Sequence, residues 1–561
     1  MAQNSNRFWG DVWSVSVNDA RRAWSGLRHG GPTAAKLWIV ALCIGIAGGL
    51  IAVGFRVGIE SLQSFLYQTD HIQTLHRSAA SLSWFWVILI PIVGGLIVGL
   101  VLDRFTPDGR VRAVADVIQG AALNDGRVER KEGLASAVAS FVTLAMGGSS
   151  GREGPVVHLA AVMSTTAAKW LNADGITGRD LLGCAVAAGV SASFNVPIAG
   201  ALFALEVVLR HFAVRAFAPI VVASVAGTVV SRIILGDVTE YTLPTTTALE
   251  FYIELPAFLL LGLLSGIVGF ALIRSIFFAE AVGSELQRKL GFPRYLRPAI
   301  AGALLGVIAL KFPHIIGVGY GITADALAGQ LIFWQAVTFT VVKVIAVAVT
   351  FGGRMGGGIF SPSLVVGALS GLAFGLVATA LFPDMSGSAT LYALAGMGAV
   401  AAAVLGAPIS TAVIVFEFTG DWQTGLAVLV AVAASTALTS RLVSRSFFLT
   451  QLNRRGVAIA AGPQAYLLST FAIATVMRSN DHPRAANIDA CQELVQQGVY
   501  VDIDATLDTA MPLFETAGQS FVPVVKMQKD AQPDVQGALF HVDALRAFNR
   551  ALSAVTAEEH A

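Results

Sequence analysis

Gly147-Gly-Ser-Ser-Gly-Arg-Glu-Gly-Pro155 sets four glycines, an arginine, a carboxylate and a proline inside a long apolar zone. Glycine at this density is costly inside a helix. Proline suits a first helical turn. The stretch therefore reads as a break in the chain from which a new helix departs near Glu153. A second break of the same kind is Gly352-Gly-Arg-Met-Gly-Gly-Gly-Ile-Phe-Ser-Pro362. Downstream of each lies the pattern P-I-x-x-A-x4-E. It runs from Pro197 to Glu206 and from Pro408 to Glu417, 211 residues apart. Each half thus carries a glycine-rich break, an apolar run and a Pro…Glu helix. Repeated, interrupted helices are a transport architecture in which the binding site lies where the breaks meet.

The surrounding composition agrees. The chain has 561 residues, 37 Lys+Arg against 36 Asp+Glu, and only 13% charged residues, where soluble domains carry about 25%. With 55% hydrophobic residues and a mean hydropathy of +0.69, it reads as a polytopic membrane protein. A disordered chain, a disulfide scaffold and a nucleic-acid binder with a basic field are excluded. Cys43, Cys184 and Cys491 are far apart and show no metal spacing. The nine histidines form no nucleophile–base or metal arrangement, so the reading is not an enzyme, with no cofactor and no metal.

Three zones follow. Residues 1–36 are a polar cytoplasmic segment in which Phe8, Trp9, Trp13 and Trp24 beside arginines fit either an interfacial helix or a loose tail. No cleavable signal peptide is read there. Residues 37–456 form the membrane domain. Residues 255–273 are one uncharged run of single-span length, whereas 355–383 and 385–416 are too long and too rich in glycine and proline for one span. Arginines and lysine before the zone (Arg21, Arg22, Arg28, Lys36) and arginines after it (Arg441, Arg445, Arg454, Arg455) place both ends in the cytoplasm by the positive-inside rule, weakly suggesting a bacterial inner membrane. Residues 457–561 are a mixed, more polar tail.

A helix that starts inside a membrane leaves about four N–H groups unpaired and carries partial positive charge at that end. Such an end binds anions, and glycine permits close approach. Gly151, Arg152 and Gly154 at one break, and Gly358, Ile359 and Phe360 at the other, are the candidate anion-binding positions. Glu153 stands apart, because a carboxylate in an apolar zone is expensive. It can occupy the site its own helix end creates, and a proton or a permeant anion must displace it. The competing reading is an Arg152–Glu153 pair at a surface turn. A cation-coupled solute transporter would share the composition but would need carbonyl or carboxylate ligands, and the breaks present helix N-termini instead.

At these residues the chain resembles the CLC family of chloride channels and proton/chloride exchangers, over about residues 37–456. Gly151-Arg-Glu-Gly-Pro155 matches G-R-E-G-P, and Gly358-Ile-Phe-Ser-Pro362 matches G-[IV]-F-x-P. Asn195-Val-Pro-Ile-Ala-Gly-Ala-Leu-Phe203 matches N-x-P-[LI]-A-G-x-L-F. Ser446-Phe-Phe-Leu-Thr-Gln-Leu-Asn-Arg-Arg-Gly456 matches the final helix. The resemblance implies an all-α membrane fold of two inverted halves and a lipid-embedded homodimer with one chloride-type pathway per subunit. It also implies Glu153 as the gate and the Ile359 and Phe360 amides as anion ligands.

The sequence departs from the family in three places. The G-S-G-I-P segment is replaced by Val111-Arg-Ala-Val-Ala115, so its anion-contacting serine becomes Arg112, or Ala113 if the register slips by one. An arginine there would either charge the anion site or snorkel to the cytoplasm. The tyrosine that closes the inner side becomes Phe448. The proton-relay acid of exchangers becomes Val207, which favours passive conduction over proton-coupled exchange. The intact proline of the first motif argues against the fluoride-exporting branch. His158 and Glu206 are nearby titratable groups, read as structural.

The tail resembles one CBS motif: Ala505-Thr-Leu-Asp-Thr-Ala-Met, Phe521-Val-Pro-Val-Val, Gly537-Ala-Leu-Phe and Asp543-Ala-Leu-Arg. A pair of such motifs makes a nucleotide cleft. The upstream unit near Thr475 looks truncated, so a small α/β packing domain is expected, with an adenine nucleotide as the alternative ligand.

Overall fold

The computed structural model describes residues 31–236 apart from 70, 174 and 213, and residues 252–560 apart from 444, 458, 460–467, 469–470 and 527–533. The expectation for Phe8, Trp9, Trp13 and Trp24 lies outside the described residues.

The membrane part is entirely helical. Among the described residues, seven helices are long and apolar enough to cross a bilayer: Lys36–Tyr67, Trp84–Phe105, Ala216–Leu235, Leu255–Leu290, Phe333–Gly352, Phe360–Leu381 and Trp422–Leu442. Shorter apolar helices, Val114–Leu123, Pro197–Leu209, Ala389–Leu405 and Pro408–Thr419, are too short for a full span. Their free ends are tolerated because protein covers them. The helices Gly175–Phe194 and Ala389–Leu405 are buried on nearly every side and form the core. Outward-facing Ile39, Leu50, Leu260, Ile267, Leu304 and Val307 make a lipid-compatible surface, and Trp84, Trp86, Trp334 and Trp422 are exposed at helix starts, where interfacial tryptophans sit.

Between such apolar helices, close backbone approach replaces the hydrophobic drive that water would supply. Helix Phe360–Leu381 lays Gly367 and Gly371 against Ala389–Leu405. A Cβ on Gly367 would lie 2.4 Å from the Gly396 carbonyl oxygen, and one on Gly371 would lie 2.4 Å from that of Tyr392.

The repeat has a structural purpose that its sequence does not announce. The Glu206 carboxylate accepts from the amides of Ile409 (2.9 Å) and Ser410 (2.7 Å) at the start of the second Pro…Glu helix. Glu417 in turn accepts from Ile198 (3.0 Å) and Ala199 (2.7 Å) at the start of the first. Each half therefore caps the other's helix N-terminus with a carboxylate, where both the orphan amides and the dipole favour it. Glu206 sits in a π-helical turn, Ala204–Leu209, which closes at Arg210 with φ of 59°.

The tail is a small α/β unit. Strands β1 (Arg478–Ser479), β2 (Val501–Asp502), β3 (Phe521–Lys526) and β4 (Asp534–Phe540) pair in the order β1-β4-β3-β2, with β2 parallel to β3 and the other pairs antiparallel. Leu507, Phe514, Val522, Val524 and Leu539 fill its core. The strand β4 and the short β1 complete the sheet.

Glu206→Ala leaves two helix-start amides unpaired, and hydrogen bonds to a charged group are worth about 1.5–3 kcal/mol each. Thermal or SDS denaturation in detergent should show a loss of about 2 kcal/mol or more. Glu206→Gln should recover part of it.

Candidate functional site

The two breaks meet. The Gly151 amide donates to the Gly358 carbonyl at 2.8 Å, and the Gly358 amide donates back to the Gly151 carbonyl at 2.6 Å. Around this two-residue bridge the Ser150 hydroxyl donates to the Gly356 carbonyl (3.1 Å), the Ser149 amide to Thr350 Oγ1 (3.1 Å) and the Gly356 amide to Thr143 Oγ1 (2.9 Å). Gly357 holds φ of 129°, open to glycine alone in practice, and lets Ser150 pass. Helices Glu153–Trp170 and Phe360–Leu381 start from opposite sides of the bridge, one from each half. Their unpaired first-turn amides are thereby brought close together.

Glu153 lies between them, 2% exposed. Ser361 Oγ donates to its Oε1 at 2.5 Å, so the carboxylate of one helix is held in the first turn of the other. Oε2 has no hydrogen-bond partner among the described residues and lies against Gly151, where a Cβ would sit 2.5 Å away. Arg152 is 3% exposed. It donates to the Ser193 carbonyl at 2.9 Å, with its guanidinium carbon 5.5 Å from the centre of the Tyr320 ring. Both members of the Arg152–Glu153 pair are buried, so the reading as a surface turn fails.

Two cavities approach from opposite directions. Arg152, Arg56, Glu60, His76, His314 and Tyr320 line one. Gly154, Ala113, Gly358, Ile359 and Phe448 line the other, with Arg110, Arg354, Glu280 and Arg455 around them. Arg152 lines the first cavity and Gly154 the second, so the cavities flank Glu153 in the chain. In the first, burial pushes the His314 imidazole down to about 3, assisted by the positive charges of Lys343 and His76. Burial also lowers His76, against the opposing pull of Asp325. The second cavity collects three arginines against one glutamate, a field that attracts anions.

The structure separates the alternatives at residues 112 and 113. Ala113 lines the second cavity, and its Cβ is 3.8 Å from where a Gly154 Cβ would stand. Arg112 does not reach that cavity. Its Nε donates to Glu132 at 2.7 Å, its terminal nitrogens reach Asp108 at 3.2 Å, and Asp116 lies 3.6 Å away. Three carboxylates hold the guanidinium aside, and Ala113 rather than Arg112 lines this cavity. Phe448 is buried against Phe447, with ring centres 5.8 Å apart. Phe360 packs on Phe194 and Phe203 at 4.8 and 5.7 Å. Val207 is buried in the π-helical turn and lines neither cavity.

The sequence reading missed Ser361, the glycine bridge and the arginines of the second cavity. The serine before Pro362 was visible, but nothing local says that it meets residue 153. No group of three or more His, Cys, Asp or Glu among the described residues is arranged to hold a metal.

Comparison with known proteins settles the family. The model of the voltage gated chloride channel family matches residues 94–440. The chain belongs to this CLC family. It is 32% identical over 397 residues to a ClcB-like chloride channel protein of Ralstonia nicotianae, covering 70% of this chain and 91% of that one. It is 28% identical over 416 residues to the voltage-gated ClC-type chloride channel ClcB of Salmonella typhimurium, covering 73% and 97%. Among solved structures it is similar in fold to a slow cyanobacterial Cl⁻/H⁺ antiporter, with a TM-score of 0.67, 21% identity, and coverage of 75% of this chain and 97% of that one. The CLC-type chain is thus an integral, multi-pass anion-transport protein and not an enzyme.

Gly358→Ala would set a Cβ 2.8 Å from the Gly154 nitrogen and force the breaks apart. Calorimetric chloride titration of the purified variant should show binding lost, or the variant should fail to yield monodisperse protein.

Proposed function

We propose that each subunit conducts chloride or a similar small anion along the two cavities, and that Glu153 is the protonatable gate between them. The observation that carries this reading is the buried Glu153 carboxylate held by Ser361 at the start of the opposing helix, with the cavities on either side. An ionised carboxylate competes with a dehydrated anion for the same helix-end dipoles. Protonation removes the competition, so flux rises as pH falls. The anion then meets the Ile359 and Phe360 amides, Gly358 and the Phe448 ring. The Phe448 ring offers no hydroxyl donor.

The reading favours a passive channel over proton-coupled exchange. Val207 supplies no carboxylate at the relay position, and Glu206 beside it is engaged in capping Ile409 and Ser410. The family resemblance implies a homodimer, and the basic flanks of the membrane zone support both termini in the cytoplasm of a bacterial inner membrane. The 457–561 tail, built on one CBS-like motif, serves as a packing domain rather than an adenine-nucleotide site.

Glu153→Gln in liposomes should abolish most of the rise of chloride flux on acidification; an unchanged pH response would remove the gate. Ser361→Ala takes away a hydrogen bond to a charge, worth about 1.5–3 kcal/mol, and should raise flux at neutral pH about tenfold. With chloride fixed, a proton gradient should leave the reversal potential where it was. A shift would make the protein an exchanger.

A further inference from the structure

We propose that His158 carries protons from the arginine- and acid-lined mouth to Glu153, making the gate responsive to pH on that face. The inference rests on the reading of Glu153 as the gate. His158 lies on the same helix as Glu153, 2% exposed. Its Nδ1 is 3.3 Å from the Ala113 carbonyl oxygen, and Ala113 lines the anion cavity beside Gly154. Its Nε2 has no hydrogen-bond partner among the described residues. His158 also lines a separate, strongly polar cavity together with Asp116, Glu132 and Arg112. A buried polar nitrogen without a partner is costly.

The position is permitted by Gly133, where a Cβ would stand 2.9 Å from Nε2. The charged groups that bear on the ring are Asp116 from helix Val114–Leu123, Glu132 from helix Arg130–Ala145 and Arg112 from the segment before Val114. Burial disfavours the charged imidazole, and the carboxylates of Asp116 and Glu132 oppose that in part. Asp116 also accepts from the Ala113 amide at 2.9 Å, which fixes the carbonyl that His158 meets.

The transfer balances simply. A hydrated proton in the polar cavity adds to Nε2 and gives the imidazolium. The proton on Nδ1, weakly held by a 3.3 Å contact, leaves to a water in the anion cavity beside Ala113 and Gly154. That water passes a proton to Glu153, and the ring is left neutral in the other tautomer. No acid at residue 207 is required.

The test uses the full chain in excised membrane patches of known orientation, with pH stepped on one face at a time. In the wild type, acidifying the face onto which Asp116 and Arg455 open should raise anion current. His158→Asn keeps an amide within reach of the Ala113 carbonyl but cannot shuttle a proton, and should lose that response while the opposite face still responds. Should His158→Asn fold poorly, Gly133→Ala closes access to Nε2 and should give the same one-sided loss. Persistence of the response in either folded variant overturns the proposal. So does a wild type insensitive on that face while Glu153→Gln abolishes sensitivity on the other, an outcome that leaves the gate intact. Retention of both responses in Glu153→Gln would instead sink the gate and with it this route.

Discussion

The exchange of two backbone hydrogen bonds between Gly151 and Gly358 is the constraint on which the rest of this structure depends. Those residues are more than 200 positions apart and belong to opposite halves of the repeat. Pairing them fixes where two helices begin inside apolar surroundings, and it aims both sets of unpaired amides at one small volume. Amides there would be expensive if nothing received them. The Glu153 carboxylate stands at that volume, held by the Ser361 hydroxyl, and in the proposed function a negative ion takes its place.

The same logic recurs at the periphery without transport consequences. Glu206 and Glu417 each cap the start of the other's helix and Glu153 stands at the start of Phe360–Leu381, so these three helix N-termini meet carboxylates. The difference lies in surroundings. Glu206 and Glu417 each spend both oxygens on backbone amides of a single turn. Glu153 spends one oxygen on a hydroxyl and leaves the other unpaired between two cavities. A carboxylate held by fewer bonds is the one poised to leave.

Much of this was legible in the chain. The glycine-rich breaks, the Pro…Glu repeat and the charge-poor composition carry the fold and the place of the site, because each reflects a local backbone demand. What stayed hidden was tertiary. Ser361 has no local reason to meet Glu153. Arg112 and Ala113 differ by one position in a segment without periodicity, and only the carboxylates of Asp108, Asp116 and Glu132 decide that the arginine turns away. The short tail strand β1 is defined only by its pairing with β4, far along the chain. His158 read as a structural histidine because its significance rests on a cavity that no sequence pattern marks.

The central claim is that a carboxylate and a dehydrated anion compete for one pair of helix ends. Anomalous diffraction from crystals grown in bromide measures this directly. At neutral pH the wild type should hold bromide near the Ile359 and Phe360 amides and none at the Glu153 carboxylate position, whereas Glu153→Gln should admit a second bromide there. Bromide absent from the residue 358–360 amides in both proteins, or the same bromide positions with and without the charge at residue 153, would contradict the account.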